Sequence, residues 1–221
     1  AVLINVNGTK MLLTAAHIID ENAFTTLYVG GSQDLTMVEA KFSVTAAPKG
    51  MRNHDQYDFA FCAVSESFAA KIGGRFVGKD EIASSRPLEQ GRLYVAVGYP
   101  NSKNRKYNPK KLLVRASLFT YTNFHRVDQE IAAKLPGEGD HHIMMPYSKK
   151  SHNEDGETVN SIAPKGMSGG AIIDAGRPGD LAVFRGELQP TPLLAGMIIE
   201  LKKKRSLLST RMEIIMQHLS G

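Results

Sequence analysis

Apolar residues come in short runs along most of this chain, separated by segments rich in turn-forming and polar residues. Runs of about four to eight residues bounded by turn formers are the pattern of β-strands. Ala1–Val6 reads as a strand, Asn7-Gly8 as a hairpin turn and Met11–Thr14 as the returning strand. Leu27–Val29, Met37–Ala46 and Phe59–Val64 continue the series and predict a first barrel ending near Ser65. Phe68–Phe76 has helix-compatible residues but breaks at Gly73-Gly74. After a polar connection over Gly78–Gln90, a second set of strands is expected at Arg92–Gly98, Lys111–Thr122, His142–Met145, Ala171–Asp174, Leu181–Val183 and Leu194–Leu201.

The end of the chain changes period. Met212, Ile215, Met216 and Leu219 recur at helical spacing, with Ser209 or Thr210 as the expected N-cap. One apolar face would dock such a helix on the second barrel. The pattern therefore predicts an all-β protein of two barrels with a C-terminal helix, the first over residues 1–78 and the second over 79–221. The polar stretches Asn101–Pro109 and Ser148–Ser161 are expected loops, and long loops in compact domains commonly serve function.

Composition narrows the class. With 42% hydrophobic and 22% charged residues the chain is of ordinary globular type. No apolar run approaches the roughly 18 residues of a membrane-spanning helix, so no membrane association is expected. The net charge of +5 gathers at Lys103–Lys111 and Lys202–Arg205. With no tryptophan and no stacking motif beside these runs, they read as solvated loops or strand ends, and no nucleic-acid partner is expected. Cys62 is the single cysteine, so no intrachain disulfide can form. It reads as a small buried hydrophobe, and the lack of disulfides fits a reducing compartment such as the cytoplasm, although many secreted bacterial proteins also lack them. No signal peptide precedes the first strand, although further N-terminal residues could have been removed.

Three segments carry candidate chemistry. Lys165-Gly166-Met167-Ser168-Gly169-Gly170 places a serine between glycines, ahead of the apolar strand Ala171–Ile173. A serine hydroxyl needs a base to become a nucleophile, and the oxyanion it creates needs converging N–H donors. Flanking glycines permit the backbone angles that aim those donors, although the same string would also suit a plain turn. Leu12-Leu13-Thr14-Ala15-Ala16-His17 sets an imidazole where a strand gives way to a turn, over small residues that allow close packing beneath it. Tyr57-Asp58-Phe59-Ala60 opens an apolar strand with a carboxylate, which is costly unless hydrogen bonds meet the charge. A His Nδ1–H is one such partner. A strand-start Asp in a turn is the alternative, and Asp55 is a rival carboxylate in what reads as a more polar setting.

Taken together these segments resemble the trypsin-like (chymotrypsin-fold) serine peptidases, which carry a Thr-Ala-Ala-His block, an Asp-apolar-Ala block and a Gly-x-Ser-Gly-Gly block in that chain order. Other triad folds order the three residues differently. The disulfide-free bacterial members are the nearer likeness. The resemblance implies two packed six-stranded antiparallel barrels and a serine endopeptidase acting on polypeptides without cofactor or metal. It implies Ser168 as nucleophile, His17 as base and Asp58 as the orienting acid. It also implies the backbone N–H groups of Gly166 and Ser168 as oxyanion hole, and Ile199-Glu200-Leu201 as the strand that pairs with substrate, a segment that equally suits a strand lining the core. The specificity pocket of the family is floored by the residue six before the nucleophile, here Ile162. With no acid there, apolar or small side chains are expected before the cut. Met167 replaces the acid that pairs with a freed N-terminus in digestive relatives, so Ala1 is not expected to be such a switch. Two other readings are weighed against this one: a catalytically silent protein-binding module of the same fold, and a zinc site from His141, His142 and His152. The zinc spacing matches no common ligand pattern. Oligomeric state is not legible.

Overall fold

The computed structural model describes residues 1–21, 26–30, 35–84, 88–89, 91–102, 107–108, 113–114, 117–135, 140–153, 155–189 and 191–220. The expected basic run at 103–111 lies largely outside the described residues. In the first half the elements are β1 (Val2–Val6), β2 (Thr9–Ala15), α1 (Ala16–Glu21), β3 (Tyr28–Gly30), β4 (Leu35–Met37), β5 (Ser43–Val44), β6 (Phe59–Ala63), α2 (Glu66–Ile72) and β7 (Val77–Gly78). β8 (Leu93–Gly98), β9 (Tyr107–Asn108), β10 (Leu113–Val114), β11 (Phe119–Phe124), α3 (Gln129–Ala132), β12 (His142–Pro146), β13 (Lys150–His152) and β14 (Thr158–Asn160) follow. The chain closes with β15 (Ala171–Asp174), α4 (Leu181–Phe184), β16 (Leu193–Lys202), β17 (Ser206–Arg211) and α5 (Met212–Ser220).

The first sheet runs β5-β6-β2-β1-β7 and the second β11-β8-β15-β16-β17-β12. The second has the expected six strands; the first has five among the described residues. The long strand expected over Met37–Ala46 breaks into β4, which pairs with β3 in a separate hairpin, and β5, which pairs with β6. The β1–β7 pairing is parallel, unlike the rest of the first sheet. The second sheet curls until its end strands meet: Tyr121 Oη and Asn123 Nδ2 of β11 donate to the Pro146 carbonyl of β12, at 3.0 and 2.8 Å.

Three local expectations are corrected. Leu181–Val183 is helical, because a short apolar run has no period that separates strand from helix. Ser209 and Thr210 belong to β17, opposite Ile198 and Met197, so they do not cap α5, which starts directly at Met212. The Phe68–Phe76 segment is helix only to Ile72: Ser65 caps its start, accepting from Phe68 N, and Gly73 ends it at φ +59°. One apolar core joins the halves, with Ile4, Leu13 and Phe59 packed with Met197, Leu208, Met212 and Ile215. The predicted face of α5 thus docks between the sheets, not on the second alone. Cys62 is buried in β6 and burial pushes its thiol up to about 11, an inert state. Among the described residues no helix is long and apolar enough to cross a membrane.

Candidate active site

The strand-to-helix junction at β2–α1 presents His17. Ala15 and Ala16 are fully buried beneath it, and their small size lets other backbone approach. Asp58 lies alongside, one residue before β6, held in the left-handed region at φ +45°. Its backbone carbonyl accepts Ala16 N–H at 3.1 Å. One carboxylate oxygen accepts His17 N–H at 2.9 Å and the other meets His17 Nδ1 at 2.7 Å. A carboxylate only accepts, so this contact assigns the proton to Nδ1 and leaves Nε2 of the neutral ring without one. The Asp58 hydrogen bond raises the imidazole pKa against the opposing pull of partial burial, with Glu21 and Glu200 adding smaller contributions.

A left-handed aspartate needs support, and the second sheet supplies it. Nε2–H of His142 donates to the Gln56 carbonyl at 2.7 Å and Thr210 Oγ1 donates to the Tyr57 carbonyl at 2.5 Å. The two residues before Asp58 are thereby tied to β12 and β17. Burial pushes the His142 pKa down to about 4, so it is neutral at physiological pH and its one N–H serves this bond. Asp55 takes a different part. It accepts from Arg52 Nη1 at 2.6 Å, from Tyr57 N–H at 2.9 Å and from Thr45 Oγ1, organising the loop that leads to Asp58. Its side chain is 2% exposed, so the polar setting expected for it is corrected to a buried ion pair.

The serine segment forms a tight turn between Pro164 and β15. Gly166 sits at φ +91° with Asn101 where a Cβ would lie, and Gly169 at φ +78° packs on Thr14, whose Oγ1 lies 2.5 Å from the place of its missing Cβ. That second contact seats the turn on the strand that carries His17. Met167 is buried against Gly98 and fixes the turn from below. Asn101 N–H donates to the Lys165 carbonyl at 2.8 Å. A trans peptide points its N–H opposite to its C=O, so the Gly166 N–H is directed away from Asn101. Among the described residues neither the Gly166 nor the Ser168 N–H has a protein acceptor. Ser168 Oγ donates to the Ile199 carbonyl at 2.9 Å and makes no hydrogen bond to His17.

His17, Asp58, Gly166 and Ser168 line one cleft of about 920 Å³ between the two sheets. Ile199, Glu200 and Leu201 line it as well, with Leu207 and Leu208 as buried apolar wall. Ile162 is not part of the lining, although its neighbours Ser161 and Ala163 are. Sequence reasoning missed Ser161 and the His142–Gln56 tie. A histidine in a strongly apolar strand was the available signal for the tie. His141, His142 and His152 form no metal cluster, and none is found among the described residues.

A family profile described as trypsin-like peptidase domain matches residues 1–178. No curated protein matches the chain. Among solved structures, an inactivated protease paralogue of the scabies mite, S-I1, aligns with a TM-score of 0.55 at 12% identity, covering 99% of this chain and 90% of that one. At that identity the likeness is one of fold. The sheet architecture and the profile agree, and the chain belongs to the trypsin-like peptidase family.

Proposed function

We propose that the chain is a serine endopeptidase in which Ser168 is the nucleophile, His17 the general base and Asp58 the group that orients and charges the base. The observation that carries this reading is the use of Asp58: both of its oxygens are committed to His17, one to the backbone and one to Nδ1. That commitment leaves Nε2 basic, in a cleft that also holds Ser168. Rotation about the serine Cα–Cβ bond releases the hydroxyl from Ile199 and presents it to Nε2. As Oγ attacks the scissile carbonyl its proton passes to Nε2, and the new oxyanion falls to the unused N–H groups of Gly166 and Ser168. Collapse of the tetrahedral species transfers that proton to the leaving amine and leaves an acyl-enzyme, which water resolves by the same steps.

Substrate placement follows from β16. Its pairing with β15 ends at Ala171↔Met197, and the loop glycines Gly169 and Gly170 take over only as far as Ile198. From Ile199 onward that edge is open beside Ser168, which suits an extended peptide adding as a strand. The apolar wall favours apolar or small side chains before the cut, since a buried cation there would lack a partner.

The second reading, a silent binding module, draws on the Ser168–Ile199 hydrogen bond, which occupies the hydroxyl. Hydrolysis of an unfolded protein substrate separates the two. Activity in the wild type that disappears in Ser168→Ala and His17→Ala, with melting temperatures preserved, supports the peptidase. Equal, background-level rates in all three refute it.

A further inference from the structure

The charges lining the cleft are divided unevenly between its walls: Glu21, the lining acid with no cationic partner among the described residues, stands on α1 with His17, in the first half of the chain. Arg52 is taken up by Asp20 and Asp55, Lys202 by Glu200, and Asp58 by His17. Lys149, Lys165 and Lys204 line the same cleft, all are exposed, and among the described residues none has an acidic partner. The turn between β16 and β17 shows how selective this is. Of its four consecutive cations, Lys202 pairs with Glu200, Lys203 with Glu130, and Arg205 with Asp128 and Glu130. Lys204, held at φ +57°, also lines the cleft and alone among the four has no acidic partner among the described residues.

The three free lysines come from three separate segments. Lys149 precedes β13, where its carbonyl accepts Ser161 N–H at 2.9 Å. Lys165 directly precedes Gly166, on the peptide fixed by Asn101. Lys204 belongs to the β16–β17 turn. All three belong to the half of the chain that carries Ser168 and the open β16 edge. Like charges gathered on one wall repel, and a ligand of opposite charge relieves that repulsion. Among the described residues Tyr147 is the only tyrosine, phenylalanine or tryptophan in the lining, and they form no stacking platform for bases there. An apolar wall beside an open strand edge fits polypeptide.

Resting on the peptidase reading, we propose that Lys149, Lys165 and Lys204 select polypeptide segments with acidic side chains close to the apolar residue held in the cleft. The lysines act as water-exposed point charges, so each contributes a rate factor of about 1.4 to 5, and ionic strength screens the effect.

The test compares kcat/KM for two quenched fluorescent peptides with one apolar anchor, flanked in one by Asp and Glu and in the other by Lys and Arg. The acidic peptide is expected to be favoured about tenfold at about 20 mM salt, with most of the advantage lost by about 300 mM. K149E/K165E/K204E is expected to reverse the order. The single Lys→Gln variants, which add no new charge, are each expected to lose part of it. Equal rates for the two peptides in the wild type, or a preference that the variants leave unmoved, overturn the proposal while leaving the peptidase reading intact. Fluorescence anisotropy with Ser168→Ala supplies an arm that needs no turnover. If the wild type hydrolyses neither peptide, the peptidase reading falls, and preferential lysine-dependent binding of the acidic peptide still decides the charge question. Tighter lysine-dependent binding of a single-stranded oligonucleotide than of the acidic peptide also overturns it.

Discussion

Replacing Gly166 by alanine separates the stability of the serine turn from its chemistry. An alanine at φ +91° costs about 1–2 kcal/mol from the left-handed backbone alone. Its Cβ would also overlap the Asn101 side chain and lie 3.0 Å from the Asn101 backbone nitrogen. That nitrogen cannot retreat without giving up its 2.8 Å hydrogen bond to Lys165 O, worth about 1 kcal/mol. The sum is about 2–3 kcal/mol, a fall of roughly 5–10 °C in melting temperature for a chain of this size. The cheapest relief is rotation of the Lys165–Gly166 peptide, which turns the Gly166 N–H from its present direction, away from Asn101. Loss of one oxyanion donor lowers kcat by about 10²- to 10³-fold with little change in KM. Thermal melting and steady-state kinetics are run on Gly166→Ala and on G166A/N101G, which removes the obstructing side chain. The double variant is expected to regain part of the melting temperature and little of kcat. A single variant that keeps full kcat, or a double variant whose rate recovers in step with its stability, would refute the assignment of the Gly166 N–H to the oxyanion.

Other outcomes follow from the same geometry. His17 must be neutral to accept the serine proton, and Asp58 raises its pKa, so the acid limb of the kcat/KM profile is expected above the ordinary histidine value of about 6.5. Asp58→Asn is expected to move that limb to lower pH and to cut kcat by about 10⁴-fold, since Nδ1 loses its carboxylate acceptor; an unmoved limb contradicts the pairing. The raised pKa also stabilises the fold fully below about pH 6.5, a contribution lost as pH rises through the folded value; Asp58→Asn removes it in pH-resolved melts. His142 has the opposite sign, because its folded pKa is depressed to about 4. Its contribution is present above about pH 6.5 and falls away toward pH 4 by about 3 kcal/mol, so His142→Gln, whose amide can still donate to Gln56, is expected to flatten the acid side of the stability curve. Urea melts of Ser65→Ala are expected to show a loss of about 1 kcal/mol, the N-cap of α2, with activity unchanged.

The catalytic candidates were legible because their chemistry restricts local sequence. Small residues under His17, glycines around Ser168 and a charge opening an apolar strand are local features with local physical causes. What was not legible depends on contacts between distant segments. Asp55 reads in the chain as the carboxylate in the more polar setting, and only the approach of Arg52 and Thr45 to it and of His17 to Asp58 shows how their work divides. Ile162 matched the position of a pocket floor, but its neighbours Ser161 and Ala163 line the cleft and it does not. The unpaired state of Lys204 depends on Glu130 and Asp128, more than seventy residues away in the chain, neutralising its neighbours. The fold class was readable from strand-length runs, while the strand count was not, because short edge strands such as β5 and β7 owe their pairing to register and carry little pattern of their own.

The central claim is that Ser168 is made nucleophilic by His17 despite its resting hydrogen bond to Ile199. Intact-protein mass spectrometry after treatment with a fluorophosphonate tests it directly, with peptide mapping of the adduct. A single phosphonyl group on Ser168 is expected, with labelling slowed by several orders of magnitude in His17→Ala. An unlabelled wild-type protein, or an adduct that maps elsewhere and ignores the loss of His17, would contradict it.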